Sequence, residues 1–298
     1  KFFFYQKGLL DKIKFTKPII SIGNITTGGT GKTPMTIYLA DNLKKTGKSP
    51  GIISRGYGRK SKGIKIVHDG KKVCSSVKIS GDEPFLMATQ LKNVPIVVSK
   101  NRVEGIKKLI DDFHVDIIIM DDGFQQLKIE KSLDIVNISS NDIPSDYRLL
   151  PYGKLREPLS NIKRADLIIY TKTNNYQSPS INKYIKNFIS NNPVCCVFEP
   201  ILMKYSIENY HKTLPPDNSM FAFCGIAEPK SFEKFIKKLS LNIKAWRFFK
   251  DHQSYSTNII KELDRQIMSN KTNNIITTEK DLVKLPTSFI TKFNVYVI

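Results

Sequence analysis

The run Thr27-Gly28-Gly29-Thr30-Gly31-Lys32-Thr33 has the composition of a loop that holds phosphate. Glycines let successive backbone N–H groups turn toward one anionic ligand, and the start of a following helix adds positive potential. A lysine at this spacing reaches β and γ phosphates, and the hydroxyl of Thr33 can ligate magnesium. The strict pattern has glycine where Thr26 stands, so the loop is a variant. Further on, the apolar stretch from Val115 to Met120 ends in Asp121-Asp122-Gly123. A carboxylate at the end of a buried strand is the Walker B arrangement, which holds magnesium or its waters beside a nucleotide. A polar strand end that caps the next turn would be written the same way.

Three further segments carry reactive groups. Gly81-Asp82-Glu83-Pro84 opens an apolar helical stretch. Asp82 is a natural N-cap there, and facing a γ phosphate it is also the type of group that accepts a hydroxyl proton during phosphoryl transfer. Ser54-Arg55-Gly56-Tyr57-Gly58-Arg59 is a flexible basic loop after a strand, suited to a phosphorylated sugar outside a sheet edge. Leu149 to Pro158 is similarly charged and proline-marked, and Asp251-His252-Gln253 places a histidine beside a carboxylate in a loop. A histidine in such a position is most often structural.

These residues need a scaffold, and the hydrophobic pattern predicts one. From Pro18 the chain reads as a strand (Ile19 to Ile22), a glycine-rich turn and a helix from Lys32 to about Lys45, which is the start of a βαβ unit. Strands are expected at Gly51–Ser54, Pro95–Ser99, Val115–Met120, Leu133–Ile138, Leu167–Thr171 and Val194–Phe198, with helical patterns between several of them. That alternation predicts a parallel sheet covered on both faces. The polar stretch Glu208 to Asn218, with Pro215 and Pro216, marks a boundary. A second series follows, with strands at Met220–Cys224, Ile243–Phe249, Ile275–Thr277 and Val295–Ile298 and helices at Lys230–Leu239 and Thr257–Met268.

The chain has 298 residues, 40% of them hydrophobic, enough for two cored domains and too apolar for disorder. The cysteines Cys74, Cys195, Cys196 and Cys224 have neither a disulfide framework's spacing nor a zinc site's, which fits a reducing compartment. No apolar run reaches the roughly 18 residues of a membrane span. Lys plus Arg at 47 against Asp plus Glu at 27 leaves +20, which favours an acidic partner without naming one. The aromatic and lysine-rich opening from Lys1 to Lys17 reads as a helix fragment that lies in a bilayer interface or packs on the domain.

Taken in order, Gly23-Asn24 with the loop to Pro34, Ser54-Arg55-Gly56-Tyr57-Gly58, Gly81-Asp82-Glu83-Pro84, Asp121-Asp122-Gly123-Phe124-Gln125, Leu155-Arg156-Glu157, Asp251-His252 and Thr278-Glu279-Lys280-Asp281 resemble the tetraacyldisaccharide 4'-kinases over nearly the whole chain. The resemblance implies transfer of the ATP γ-phosphate to the 4'-hydroxyl of a tetraacylated glucosamine disaccharide 1-phosphate, a late step in lipid A synthesis. It implies a monomer, peripheral at the cytoplasmic face of the bacterial inner membrane, whose partners are an acidic acylated disaccharide lipid and an anionic membrane surface. It also implies a P-loop NTPase-like α/β/α sandwich over residues 1–200, a two-stranded linker over 201–217 and a smaller α/β/α domain over 218–298.

Carried over residue by residue, Thr27, Gly28, Gly29, Thr30, Gly31, Lys32 and Thr33 would bind ATP, and Thr33, Asp121 and Glu157 would lie in or near the Mg2+ shell. Asp82 looks like the base, coupled to His252, with Lys32 and Asp121 completing the catalytic set. Glu83, Asp122 and Gln125 would support them. Asn24, Ser54, Arg55, Tyr57, Arg102 and Arg156 would lie toward the sugar or its phosphates. Gln126 and Gln253 stand where many relatives have histidine, so neither is given a proton-transfer role. Both ends look short beside that family, which bears on stability and membrane affinity more than on chemistry.

Two other classes fit parts of the same sequence. A P-loop ATPase acting as a switch explains the phosphate loop and the acidic strand end, and leaves the Arg-Gly-Tyr-Gly loop, Asp82 and Asp251-His252 unexplained. A nucleic-acid binder rests on the charge alone, with no recognisable module, so no nucleic acid is expected as a partner.

Overall fold

The computed structural model describes residues 5, 9–173, 182–189, 192–197, 199, 201–206, 209–213 and 219–298. The basic opening at 1–4 and 6–8, and parts of the expected linker at 207–208 and 214–218, lie outside the described residues. The chain divides into two compact units, Lys1–Phe198 and Glu199–Ile298.

The first unit holds β1 (Ile19–Asn24), β2 (Pro50–Ser54), β3 (Lys65–Asp69), β4 (Pro95–Val98), β5 (Ile117–Asp121), β6 (Leu133–Ser139), β7 (Leu167–Thr171) and β8 (Val194–Cys195) in one sheet of order β3-β4-β2-β5-β1-β6-β7-β8. All neighbours are parallel except β3, which runs antiparallel to β4 at the edge. Helices α1 (Lys32–Lys45) and α2 (Asp82–Gln90) contribute to one apolar layer, with Ile22, Ile52, Ile96 and Ile119, while α3 (Arg102–Phe113) contributes to the other, with Ile19, Ile53, Val97 and Ile118. Adjacent residues such as Ile52 and Ile53 enter opposite layers because strand side chains alternate. That is why these strands read as continuous apolar runs. Each fully buried isoleucine contributes about 1.5–3 kcal/mol.

The order reverses around β1, which lies between β5 and β6 although α1 leads away to β2. Connections that leave a parallel sheet in opposite directions open a crevice beyond the carboxyl ends of its strands. The phosphate loop follows β1 and the Asp121-Asp122 pair ends β5, so the topology itself brings the two motifs together.

The second unit holds β9 (Met203–Ser206), β10 (Asn209–Lys212), β11 (Met220–Cys224), β12 (Ile243–Phe248), β13 (Asn274–Thr277) and β14 (Asn294–Val297), in the order β10-β9-β14-β13-β11-β12. Strands β11 to β14 are parallel, with α4 (Pro229–Lys238) packing Phe232 and Ile236 into one layer and α5 (Thr257–Ser269) packing Leu263 and Ile267 into the other. The stretch expected as a two-stranded linker supplies the antiparallel pair β9–β10, and β9 also bonds to β14. This pairing satisfies the otherwise open edge of β14.

Candidate active site

At the end of β1 the backbone passes from strand to loop to helix. Gly28 and Gly31 take φ of 109° and 74°, a region that side chains disfavour, and Gly31 occupies the N-cap of α1. Lys32 and Thr33 therefore stand in the first helical turn, where N–H groups are free of intrahelical partners. Thr26, at the position where the strict pattern has glycine, lies in a bridge to Leu155, with Thr27 N–H donating to Lys154 O at 2.7 Å and Arg156 N–H to Ile25 O at 2.9 Å. It is buried, and its hydroxyl donates to Asp142 Oδ2 at 3.4 Å. Extended, strand-like backbone has no need of glycine there, which explains the variant.

Lys32 Nζ lies 3.5 Å from Asp122 Oδ1, and Arg156 Nη1 reaches the same oxygen at 2.7 Å. Burial alone would raise the Asp122 carboxyl, but Lys32, Arg156 and Arg102 outweigh it and hold it below the ordinary carboxylate range. Its neighbour behaves oppositely. Asp121 is buried, with Oδ2 accepting from Ser54 Oγ at 2.7 Å, and burial together with the negative charge of Glu83 and Asp122 pushes it up to about 7. Asp121 Oδ1 is enclosed and receives no hydrogen bond. A buried carboxylate oxygen with acceptor capacity to spare, among like charges, fits a divalent cation or a water bound to one. Among the described residues no group of three or more His, Cys, Asp or Glu forms a metal cage. Magnesium suits such a site, because it keeps several waters and takes only one or two carboxylates beside the substrate phosphates.

The turn at Gly81 has φ of 92° and ψ of 161°, and Gly81 is the N-cap of α2. Asp82 therefore enters the first helical turn instead of capping it, contrary to the plain capping reading, and Glu83 follows. A Cβ on Gly81 would lie 2.6 Å from Tyr57 O, and one on Gly56 would lie 2.6 Å from Ser80 O. Close backbone packing thus sets the Arg55–Tyr57 loop directly beside Asp82. Arg55 and Tyr57 are exposed, while Ser54 is buried at the end of β2.

Other expected residues are placed in supporting contacts. Asn24 Nδ2 donates to Thr30 Oγ1 at 3.0 Å and steadies the loop from below. Gln125 Nε2 donates to Asn24 O and to Glu157 Oε1, both at 2.9 Å, and its Oε1 accepts from Arg156 at 3.1 Å. Glu157 accepts from Arg164 Nη1 at 2.6 Å and from Asn161 at 2.8 Å. Burial would raise its carboxyl, but Arg164, Gln125 and Asn161 bring it below the ordinary range. Glu157 is thus held in an ion-pair network, with both oxygens engaged. Arg102 is 2% exposed, donating to Ser99 O at 2.5 Å and Asp121 O at 3.4 Å, and burial lowers it to about 10. It braces the ends of β4 and β5 from inside the sheet.

Sequence reasoning passed over Asp142 and Arg164, and also Lys172. Lys172 follows β7 at φ of 60°, with Nζ 4.0 Å from where a Cβ on Gly29 would sit. A cation there adds to the positive field over the phosphate loop. Its only sequence signal is a lysine one residue past an apolar strand, a common occurrence.

In the second unit His252 has φ of 56°, its N–H donates to Asp251 Oδ1 at 2.9 Å, and Lys280 Nζ lies 3.3 Å from that same oxygen.

Residues 1–298 match the family described as tetraacyldisaccharide-1-P 4'-kinase, LpxK. The chain is 35% identical over 296 residues to a tetraacyldisaccharide 4'-kinase of Desulfotalea psychrophila, covering 98% of this chain and 85% of that one. It is 36% identical over 283 residues to the Aquifex aeolicus protein of the same name, covering 94% and 83%. A crystal structure of Aquifex aeolicus LpxK in complex with ATP superposes with a TM-score of 0.77 at 32% identity, over 99% of this chain and 86% of that one. The phosphate loop, the acidic strand end and these likenesses over the full length agree, and the chain belongs to the tetraacyldisaccharide-1-phosphate 4'-kinase family.

Proposed function

We infer that this chain works as its family does: it is an ATP-dependent, magnesium-requiring kinase that phosphorylates the 4'-hydroxyl of tetraacyldisaccharide 1-phosphate in lipid A synthesis. The observation that carries the reading is the convergence of Lys32 at the head of α1 with Asp121 and Asp122 at the end of β5. Magnesium bound at this site supplies positive charge against the phosphate oxygens.

The protein's own groups divide the remaining work. Thr27 to Thr33 present backbone N–H groups and the Lys32 ammonium to the β and γ phosphates, and Asp122 holds that ammonium in place at 3.5 Å. Thr33 and Asp121 would hold the magnesium ion or its waters. Glu157, held by Arg164, serves through Gln125, which places Arg156, and Arg102 serves by bracing Asp121. Asp82 accepts the proton of the attacking hydroxyl, assisted by His252, with Glu83 beside it. Arg55, Tyr57 and Arg156 form the sugar side, while Ser54 and Asn24, expected there, are buried and support Asp121 and the phosphate loop from within. The net charge of +20 supports work at an anionic membrane surface, peripheral to the cytoplasmic face of the inner membrane. Among the described residues no helix is long and apolar enough to cross a membrane.

The test is transfer of labelled γ-phosphate from ATP to tetraacyldisaccharide 1-phosphate in detergent micelles, comparing the native chain with Asp82→Ala. We expect labelled bisphosphorylated lipid from the native chain, and a rate about 10²–10⁴-fold lower from the variant with ATP binding retained. Label released only as free phosphate would return the protein to the switch-ATPase class. A near-normal variant would remove Asp82 from proton transfer.

A further inference from the structure

The carboxyl end of the second sheet gathers three loops around one buried carboxylate. Asp281 is fully buried, and its Oδ2 accepts from Gly225 N–H after β11 at 2.8 Å and from Thr278 Oγ1 after β13 at 2.7 Å. Its Oδ1 forms an ion pair with Lys284 at 2.9 Å. A Cβ on Gly225 would lie 2.9 Å from Gln253 Cβ and 3.2 Å from Lys250 O, so the loop after β12 is pressed into the same assembly. Thr278 accepts Asp281 N–H at 3.2 Å and so caps the short helix Glu279–Leu282. The Thr278-Glu279-Lys280-Asp281 run is therefore pinned at both ends, with Lys280 carried between them.

Lys280 turns away from that hub. Its ammonium lies 3.3 Å from Asp251 Oδ1 and 3.4 Å from His252 Nε2. Asp251 Oδ1 also accepts His252 N–H at 2.9 Å, and His252 holds φ of 56°, a left-handed backbone state uncommon outside glycine. His252 Nε2 also lies 3.7 Å from Asp251 Oδ2, beyond hydrogen-bond reach, whereas the nearer ammonium carries donors only and calls for an acceptor at Nε2, with the ring proton on Nδ1.

We propose that Lys280 is a positioning residue for phosphoryl transfer: it clamps Asp251 and the His252 ring together and sets the ring's orientation and its Nδ1–H tautomer. The buried Asp281–Thr278 hub is what makes the clamp rigid, since a lysine's flexible stem holds a geometry only when its own backbone is fixed. The proposal rests on the reading of His252 as a participant in the reaction, and the experiment separates the two.

The experiment is a double-mutant cycle of Lys280→Met, His252→Ala and the pair, with kcat and KM measured for ATP and for the lipid acceptor, and melting temperature recorded for each protein. Ring nitrogens are read by long-range ¹H–¹⁵N spectra. If Lys280 acts through His252, Lys280→Met lowers kcat about 10–100-fold with KM for ATP within about twofold, and the pair is no slower than His252→Ala alone. Lys280→Arg, which keeps a charged donor, restores part of the rate, and the Nδ1–H signature of His252 is present in the native chain and lost in Lys280→Met. A native rate for Lys280→Met beside a slow His252→Ala overturns the clamp and leaves the histidine reading standing. Additive losses overturn it as well, as does an unchanged His252 tautomer. A native rate for His252→Ala removes the histidine itself. Should Lys280→Met melt well below the native chain, the tautomer in Lys280→Arg decides, because that variant keeps the packing of the stem.

Discussion

Replacing Asp121 with asparagine should make the protein more stable and less active, with an effect that depends on pH. The carboxyl sits at about 7 instead of its ordinary 3.8, because burial and the charges of Glu83 and Asp122 disfavour ionisation. Folding therefore favours the protonated form. The stability this confers is complete below about pH 4 and is lost as pH rises through about 7. At ~1.4 kcal/mol per decade the penalty on the ionised form has a ceiling of about 4 kcal/mol. Ser54 Oγ already offsets part of that penalty by donating to Oδ2, so the part relieved by asparagine is about 1–3 kcal/mol. Ser54 Oγ can still donate to the amide oxygen, as it does to Oδ2 at 2.7 Å. Differential scanning fluorimetry without ligand should show the variant melting higher by several degrees at about pH 8, with the gap narrowing as pH falls and closing only near about pH 4, where the carboxyl is neutral in the unfolded chain as well. Adding magnesium and ATP should reverse the order at the higher pH, and lipid phosphorylation should fall about 10²–10³-fold or more. An equal shift at both pH values, or a variant that melts lower at the higher pH, would refute the account of Asp121 as a strained buried acid. Retained magnesium-dependent turnover would refute its role at the metal.

Two further substitutions test the parts around it. Lys32→Ala should abolish phosphoryl transfer with the fold intact, since Arg156 still neutralises Asp122 at 2.7 Å; unchanged turnover would sink the nucleotide assignment. Gly81→Ala should destabilise the first unit by about 2–4 kcal/mol, through a backbone conformation open essentially to glycine alone and a Cβ driven against Tyr57 O. Chemical denaturation measures that change, and a value near zero would mean that the Ser54–Gly58 loop is not locked to the turn before Asp82.

Much of the scaffold was legible because buried parallel strands leave a strong local signal. The strands around Ile22, Ile53, Val97 and Ile119 read as apolar runs because both faces are covered. The edge strand β3 escaped notice. Its Lys65, His68 and Asp69 carry the polar character that protects a sheet edge, and the alternation that would mark it is cut to a few residues. The pair β9–β10 was expected as a two-stranded linker from the family resemblance, and what the sequence did not carry is that β9 also pairs with β14 and so joins the second sheet.

The same division runs through the site. The phosphate loop, the acidic strand end and the glycine–aspartate turn are contiguous motifs, and residues that act from one turn of backbone can be read where they stand in the chain. The partnerships belong to the tertiary structure. Arg156 meets Asp122 34 positions away, Thr26 meets Asp142 116 positions away, and Lys280 meets His252 28 positions away. Glu157, placed by its motif near the metal, is engaged by Arg164, and Asp82, read as a possible cap, yields that place to Gly81. Such contacts depend on strand order and register, and a shift of one residue would turn every side chain of a strand to the opposite face. Local spacing therefore determined which chemistry the chain can carry, and the crossing connections of two largely parallel sheets decided which groups meet to perform it.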